Sequence, residues 1–60
     1  MRLRDAKKLQ NRDQVRVRKE GGWEYGYVLG EPVLVNLKNL SIPVESPSGG
    51  FREVLHTDVR

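Results

Sequence analysis

The chain has no cysteine, a single histidine, one tryptophan and no apolar run approaching the ~20 residues that a membrane-spanning helix requires. Each absence excludes something. Without cysteine there is neither a disulfide staple nor a cysteine-type zinc site, a composition suited to a reducing compartment. His56 is the sole histidine, and no serine or cysteine nucleophile is tied to it by a recognisable motif, so no catalytic constellation is present. His56 and Asp58 are close enough in sequence to pair across a turn, a structural role rather than a chemical one. The glycine pairs Gly21-Gly22 and Gly49-Gly50 lack the strand-to-helix setting of a phosphate loop and read as turns. No signal-peptide core follows Met1. The expectation is a cytoplasmic, non-enzymatic protein with no membrane segment, catalytic residue, metal or cofactor.

What is present is a patterned, basic, single-domain chain. Sixty residues bury only about 60% of the surface exposed when unfolded, so the core is small and homo-oligomerisation is one way to enlarge it. Residues 1–20 carry eight basic side chains (Arg2, Arg4, Lys7, Lys8, Arg12, Arg16, Arg18, Lys19) against Asp5, Asp13 and Glu20. The other forty carry only Lys38, Arg52 and Arg60 against five acids. Charge concentrated in one half is the footprint of a protein that meets phosphate, or an ordinary solvated face.

Hydrophobic periodicity places the elements. Leu3, Ala6 and Leu9 share one side of a short helix or helical turn within Arg2–Gln10, which is too short to persist unless docked. Asn11–Asp13 turns the chain into a strand, Gln14–Arg18, that alternates polar and apolar at period two. Lys19-Glu20-Gly21-Gly22 supplies a tight turn, and Trp23–Leu29 returns as a second strand rich in aromatic and β-branched residues. Gly30-Glu31-Pro32 ends or bends it, and Val33–Val35 either prolongs the strand or belongs to a loop. Asn36–Asn39 is turn-like. Leu40–Glu45 alternates as a third strand, with Pro43 arguing for an edge or a bulge. Ser46–Gly50 is a turn, Phe51–Leu55 a fourth strand, His56–Asp58 a helical turn and Val59-Arg60 a short closing strand. So many short strands predict an all-β barrel with an N-terminal helical segment at 1–11 and the barrel proper at 13–60. The predicted inward set is Leu9, Val15, Val17, Val28, Val44, Val54 and Val59, covered by Leu3 and Leu55.

Asp13-x-Val15-x-Val17, Gly22-Trp23-x-x-Gly26-x-Val28 and the closing Asp58-Val59-Arg60 together resemble the SH3-like barrels, especially Tudor and agenet-type domains. That resemblance implies a small SH3-like, Tudor-like barrel used as a binding module. Asp13-Gln14-Val15-Arg16 and Val44-Glu45-Ser46 are similar to the plasmid-encoded type II dihydrofolate reductases of the same fold group. The pore-lining Val-Gln-Ile-Tyr of those tetrameric enzymes is replaced here by Phe51-Arg52-Glu53-Val54-Leu55, which removes the residues that would carry the reductase reaction. The ending Leu-His-Thr-Asp-Val also resembles that of small bacteriophage-encoded proteins.

Trp23, Tyr25 and Tyr27 alternate along one strand and so share a face, which Phe51 can join; Arg16 and Arg18 point away from Val15 and Val17 on the neighbouring strand. If the aromatic stripe faces outward, the arginines stand across from it. Guanidinium to phosphate and ring to base is the chemistry of single-stranded nucleic-acid binding, with Lys7, Lys8 and Lys19 adding attraction. The alternatives are that a bulge at Gly26 switches the faces and sends Trp23 and one tyrosine into the core, or that the arginines merely pack over the rings and pair with Glu24. A protein partner, engaged by strand addition or through the aromatic stripe, is the competing expectation.

Overall fold

The computed structural model describes residues 1–60. The alternation in the first strand is realised directly: β1 spans Gln14–Lys19 with Val15 and Val17 buried and Gln14, Arg16 and Arg18 exposed. Gly21 (φ +83°) and Gly22 (φ +152°) make the turn that a side chain would strain. Strand β2, Gly22–Val28, runs back antiparallel in unbroken register from Lys19 opposite Gly22 to Gln14 opposite Tyr27. The start of β1 is fixed by Asp13, whose carboxylate accepts the Gln10 N–H at 2.9 Å and whose carbonyl accepts the Val28 N–H at 2.9 Å. Arg12 beside it adopts the left-handed region (φ +77°), and its N–H donates to the Val28 carbonyl.

Three further strands complete an antiparallel sheet of five: β3 (Val33–Asn36), β4 (Asn39–Glu45) and β5 (Phe51–Leu55). β4 is the hub. Val44 pairs with both Val28 and Arg52, and Ser41 pairs with both Val33 and Leu55. Hence β5 lies along one edge of β4, while β2 and β3 lie in succession along the other. The Val33–Val35 stretch is thus a strand of its own that prolongs the line of β2 beyond the bend at Gly30 (φ +124°) and Pro32. Pro43 sits in this central strand, neither on an edge nor in a bulge of its pairing with β5. Its carbonyl accepts the Leu29 N–H at 2.9 Å. The donor it lacks would face the carbonyl of Leu29, an exposed residue just past the end of β2, so the missing bond falls where that ladder stops.

After β5 a single 3-10 turn, His56–Asp58, swings the chain back across the end of the sheet. Val59 then bridges Val17, and Arg60 and Arg16 exchange backbone hydrogen bonds of 2.8 and 3.1 Å. The free edge of β1 is thereby covered and the sheet closes into a small barrel-like fold. Helix α1 is shorter than the apolar spacing predicts, one turn over Leu3–Ala6. The Met1 amino group donates to the His56 and Val59 carbonyls at 3.1 and 2.6 Å, which docks that turn against the closing segment. No helix is long and apolar enough to cross a membrane.

The core consists of Ala6, Val15, Val17, Val28, Leu40, Ile42, Val44 and Val59, with Met1, Leu3, Leu9 and Val54 partly buried against it. Five of the predicted inward residues are there; Leu9 and Val54 are its partly buried margin. Leu55 does not serve as a cover: it pairs with Ser41 on the outer side of β4 and is exposed. Leu40 and Ile42 complete the inward face because they share the parity of Val44. Each fully buried Val or Ile is worth roughly 1.5–3 kcal/mol of transfer free energy, so these few side chains supply most of what holds so short a chain together.

Candidate functional site

The outer face of the β1–β2 hairpin carries the strongest concentration of rings and cations. Because the register is unbroken, Arg18 lies opposite Trp23, Arg16 opposite Tyr25 and Gln14 opposite Tyr27. Glu24, Gly26 and Val28 hold the other parity and face the barrel side. A bulge at Gly26 that reverses the faces is therefore ruled out, and all three aromatics stand outside the core. Tyr25 is 50% and Tyr27 44% exposed, and Trp23 is half-buried.

What half-buries Trp23 is arginine. The guanidinium carbon of Arg18 lies 4.8 Å from the indole centroid and that of Arg60 4.7 Å, while Arg16 stands 5.3 Å from the Tyr25 ring. Arg16 also reaches the Tyr25 hydroxyl at 3.4 Å, a long and weak contact. Arg60 is placed by the closing segment: its backbone exchanges hydrogen bonds with Arg16 of β1, so it belongs to the same outer face. The arginine stems do pack over the rings, but Glu24 is not their partner. Arg18 instead faces Asp58 at 3.4 Å, and Glu24 meets Arg52 at 3.5 Å. All four side chains are substantially exposed, so these ion pairs contribute little to stability.

The row continues across the sheet. Tyr27 pairs with Glu45, and Glu45 pairs with Phe51, which is 61% exposed. Phe51 therefore joins the face, but behind a carboxylate that separates it from Tyr27. Beyond Tyr27 a shallow depression of about 540 Å³ is lined by Asn11, Arg12, Tyr27, Leu29 and Glu45. Asn11 also borders a larger, more polar groove of about 740 Å³ that includes Lys7, Lys8, Gly30 and Pro32. Lys7 and Lys8 thus lie past the far end of the aromatic stripe, not on it. Lys19 ends β1 at the hairpin turn with the parity of Val15 and Val17, so it leaves the sheet on the side away from the rings.

The sequence pattern alone left out Arg60 and Arg12. Arg60 was visible only through the pairing of Val59 with Val17, a contact between residues far apart in the chain. His56 is not paired with Asp58. It is buried, and its Nδ1 accepts the Leu40 backbone N–H at 3.1 Å, which is a structural task. No group of three or more His, Cys, Asp or Glu side chains is arranged to hold a metal ion.

The fold and this face define a small, five-stranded, antiparallel all-β domain with a basic and aromatic outer surface. Comparison with protein-family models, curated proteins and solved structures finds no match for the chain.

Proposed function

We propose that this chain is a non-enzymatic binding module of the SH3-like, Tudor-like type that engages single-stranded nucleic acid, free or within a nucleoprotein complex, through the outer face of β1 and β2. The observation that carries the reading is the interleaving on one face of Trp23, Tyr25 and Tyr27 with Arg16, Arg18 and Arg60.

The energetics favour exchange of the arginines for bases. An exposed cation–π contact is worth about 0.5–1 kcal/mol, whereas stacking a base on an aromatic side chain is worth roughly 1–3 kcal/mol. A base arriving at Trp23 or Tyr25 displaces a guanidinium at small cost, and the freed guanidinium is already beside the backbone phosphate of that nucleotide. Arg16, Arg18 and Arg60 then act as phosphate clamps, with Lys7 and Lys8 extending the positive field past Tyr27 and Lys19 past the hairpin turn. Phe51 adds apolar area at the margin. The cysteine-free composition suits work in the cytoplasm.

The test is an amide-shift titration of isotope-labelled protein with short single-stranded and duplex DNA at two salt concentrations. Salt-sensitive shifts centred on Arg16, Arg18, Trp23, Tyr25, Tyr27 and Arg60 are expected with the single strand. Absence of shifts at low salt would sink the reading.

A further inference from the structure

Nine large apolar side chains are exposed, and four of them, Val33, Leu34, Val35 and Leu37, fall within five residues of one another. Val33, Leu34 and Val35 are 63, 59 and 59% exposed and Leu37 is 96% exposed. They form β3 and its turn, and β3 pairs with β4 alone, so its other edge presents unpaired backbone donors and acceptors. The charges flanking this stretch are Glu31 before it and Lys38 after it; none lies between. Soluble proteins usually protect such an edge with charge, because an apolar edge recruits another strand. The shortness of β3, Pro32 at its start and the irregular register at Val35 limit the pairing to a few residues. That short reach argues for a closed pair and against an extended ladder.

We infer that β3 is a self-association edge, at which two copies of this chain pair antiparallel about a two-fold axis. The occupant follows from charge. With net charge +3, two copies repel across any face built from the basic half. Within residues 31–38 the only ionic groups are Glu31, just before β3, and Lys38, in the turn after it, with Lys7 and Lys8 bordering the groove that Glu31 lines. Antiparallel pairing centred on Leu34 or Val35 brings the Glu31 end of one β3 beside the turn of the second copy that carries Lys38. Symmetry makes the contact twice. The same pairing sets valine and leucine side chains of both copies against each other on both faces, enlarging a core that one chain fills with only eight buried apolar residues. β3 follows β2 along β4 and leaves the outer face of the β1–β2 hairpin free, so the inference stands independently of the proposed nucleic-acid interface.

Sedimentation equilibrium of the protein without nucleic acid, from micromolar to millimolar concentration, tests it. The mass should rise with concentration toward twice the 6.9 kDa of one chain and stop there. Val35→Lys, at an exposed site, should raise the concentration needed for association by at least about tenfold while the core amide shifts of the monomer stay in place. Lys38→Glu should weaken association and Glu31→Lys combined with it should restore association. A monomer throughout, a mass beyond the dimer, association indifferent to Val35→Lys, or charge variants without effect would each overturn the inference.

Discussion

Arg60 holds its guanidinium carbon 4.7 Å from the centroid of the Trp23 ring, although the two residues reach the outer face on different segments. The contact exists because the chain end pairs with β1 and Trp23 lies on the strand beyond it. Arg60→Met keeps most of the stem and removes the charge. It should cost about 0.5–1 kcal/mol of stability, and it should shift the Trp23 fluorescence to longer wavelength as water reaches the indole. On the proposed function it also reduces the slope of log affinity against log salt for single strands by about 0.7. Wild-type emission and an unchanged slope would mean that Arg18 alone covers the ring.

Gly26 is buried because β2 crosses close to β4 there. A Cβ added to it would overlap the Val44 Cγ1 methyl and stand 3.2 Å from the Glu45 carbonyl oxygen. Gly26→Ala should therefore destabilise by roughly 1–3 kcal/mol through overpacking, on the side of β2 away from the aromatic stripe. In a Val44→Ala background the methyl clash is absent and the penalty should shrink, leaving the carbonyl contact. Urea unfolding of the four proteins measures the coupling. Equal penalties in the two backgrounds would refute the packing account.

His56 shows how a lone histidine serves the fold. Its Nδ1 takes the Leu40 N–H, and both residues are buried. His56→Leu fills similar volume but leaves that donor unsatisfied, at a cost of about 1–3 kcal/mol. Since a chain of this length has only about 3–9 kcal/mol of stability in total, the melting temperature should fall markedly. Hydrogen exchange at the Leu40 amide should accelerate more than at Val28, whose N–H is bonded to Asp13. Uniform acceleration at both amides would indicate global destabilisation alone.

The hairpin was legible in the sequence because its signals are local: alternation at Val15 and Val17, two glycines at the turn, and aromatics at period two. The same alternation sets Trp23, Tyr25 and Tyr27 on one face, although only the unbroken pairing of β1 with β2 fixes that face as the outer one. Pro43 misled for a physical reason. A missing donor argues for an edge only where it would interrupt a ladder, and Pro43 stands opposite Leu29, an exposed residue just past the end of β2. Leu40 and Ile42 were readable as partners of Val44 by parity, whereas Leu55 reads equally well as core or surface until its partner Ser41 is known. Arg60 and His56 were least legible, since each acts through a contact made only when the barrel closes.

Ring spacing yields the sharpest prediction about the interface. Two residues of antiparallel strand rise roughly 6.8 Å, so Trp23, Tyr25 and Tyr27 present their rings at about twice the 3.4 Å rise per nucleotide of a B-form strand. Bases stacked in a duplex cannot each meet a ring at that interval; an extended, unstacked strand can. In an oligothymidine length series, affinity should rise steeply up to about three nucleotides, one per ring, and then only slowly with further electrostatic contact. Duplex DNA should bind more weakly at high salt, where phosphate attraction is screened and stacking is left to discriminate. Trp23→Ala should lower single-strand affinity by roughly 1–3 kcal/mol while barely changing the residual duplex affinity. Equal loss on both substrates would show that the face reads phosphate alone, with the rings serving only to hold the arginines in place.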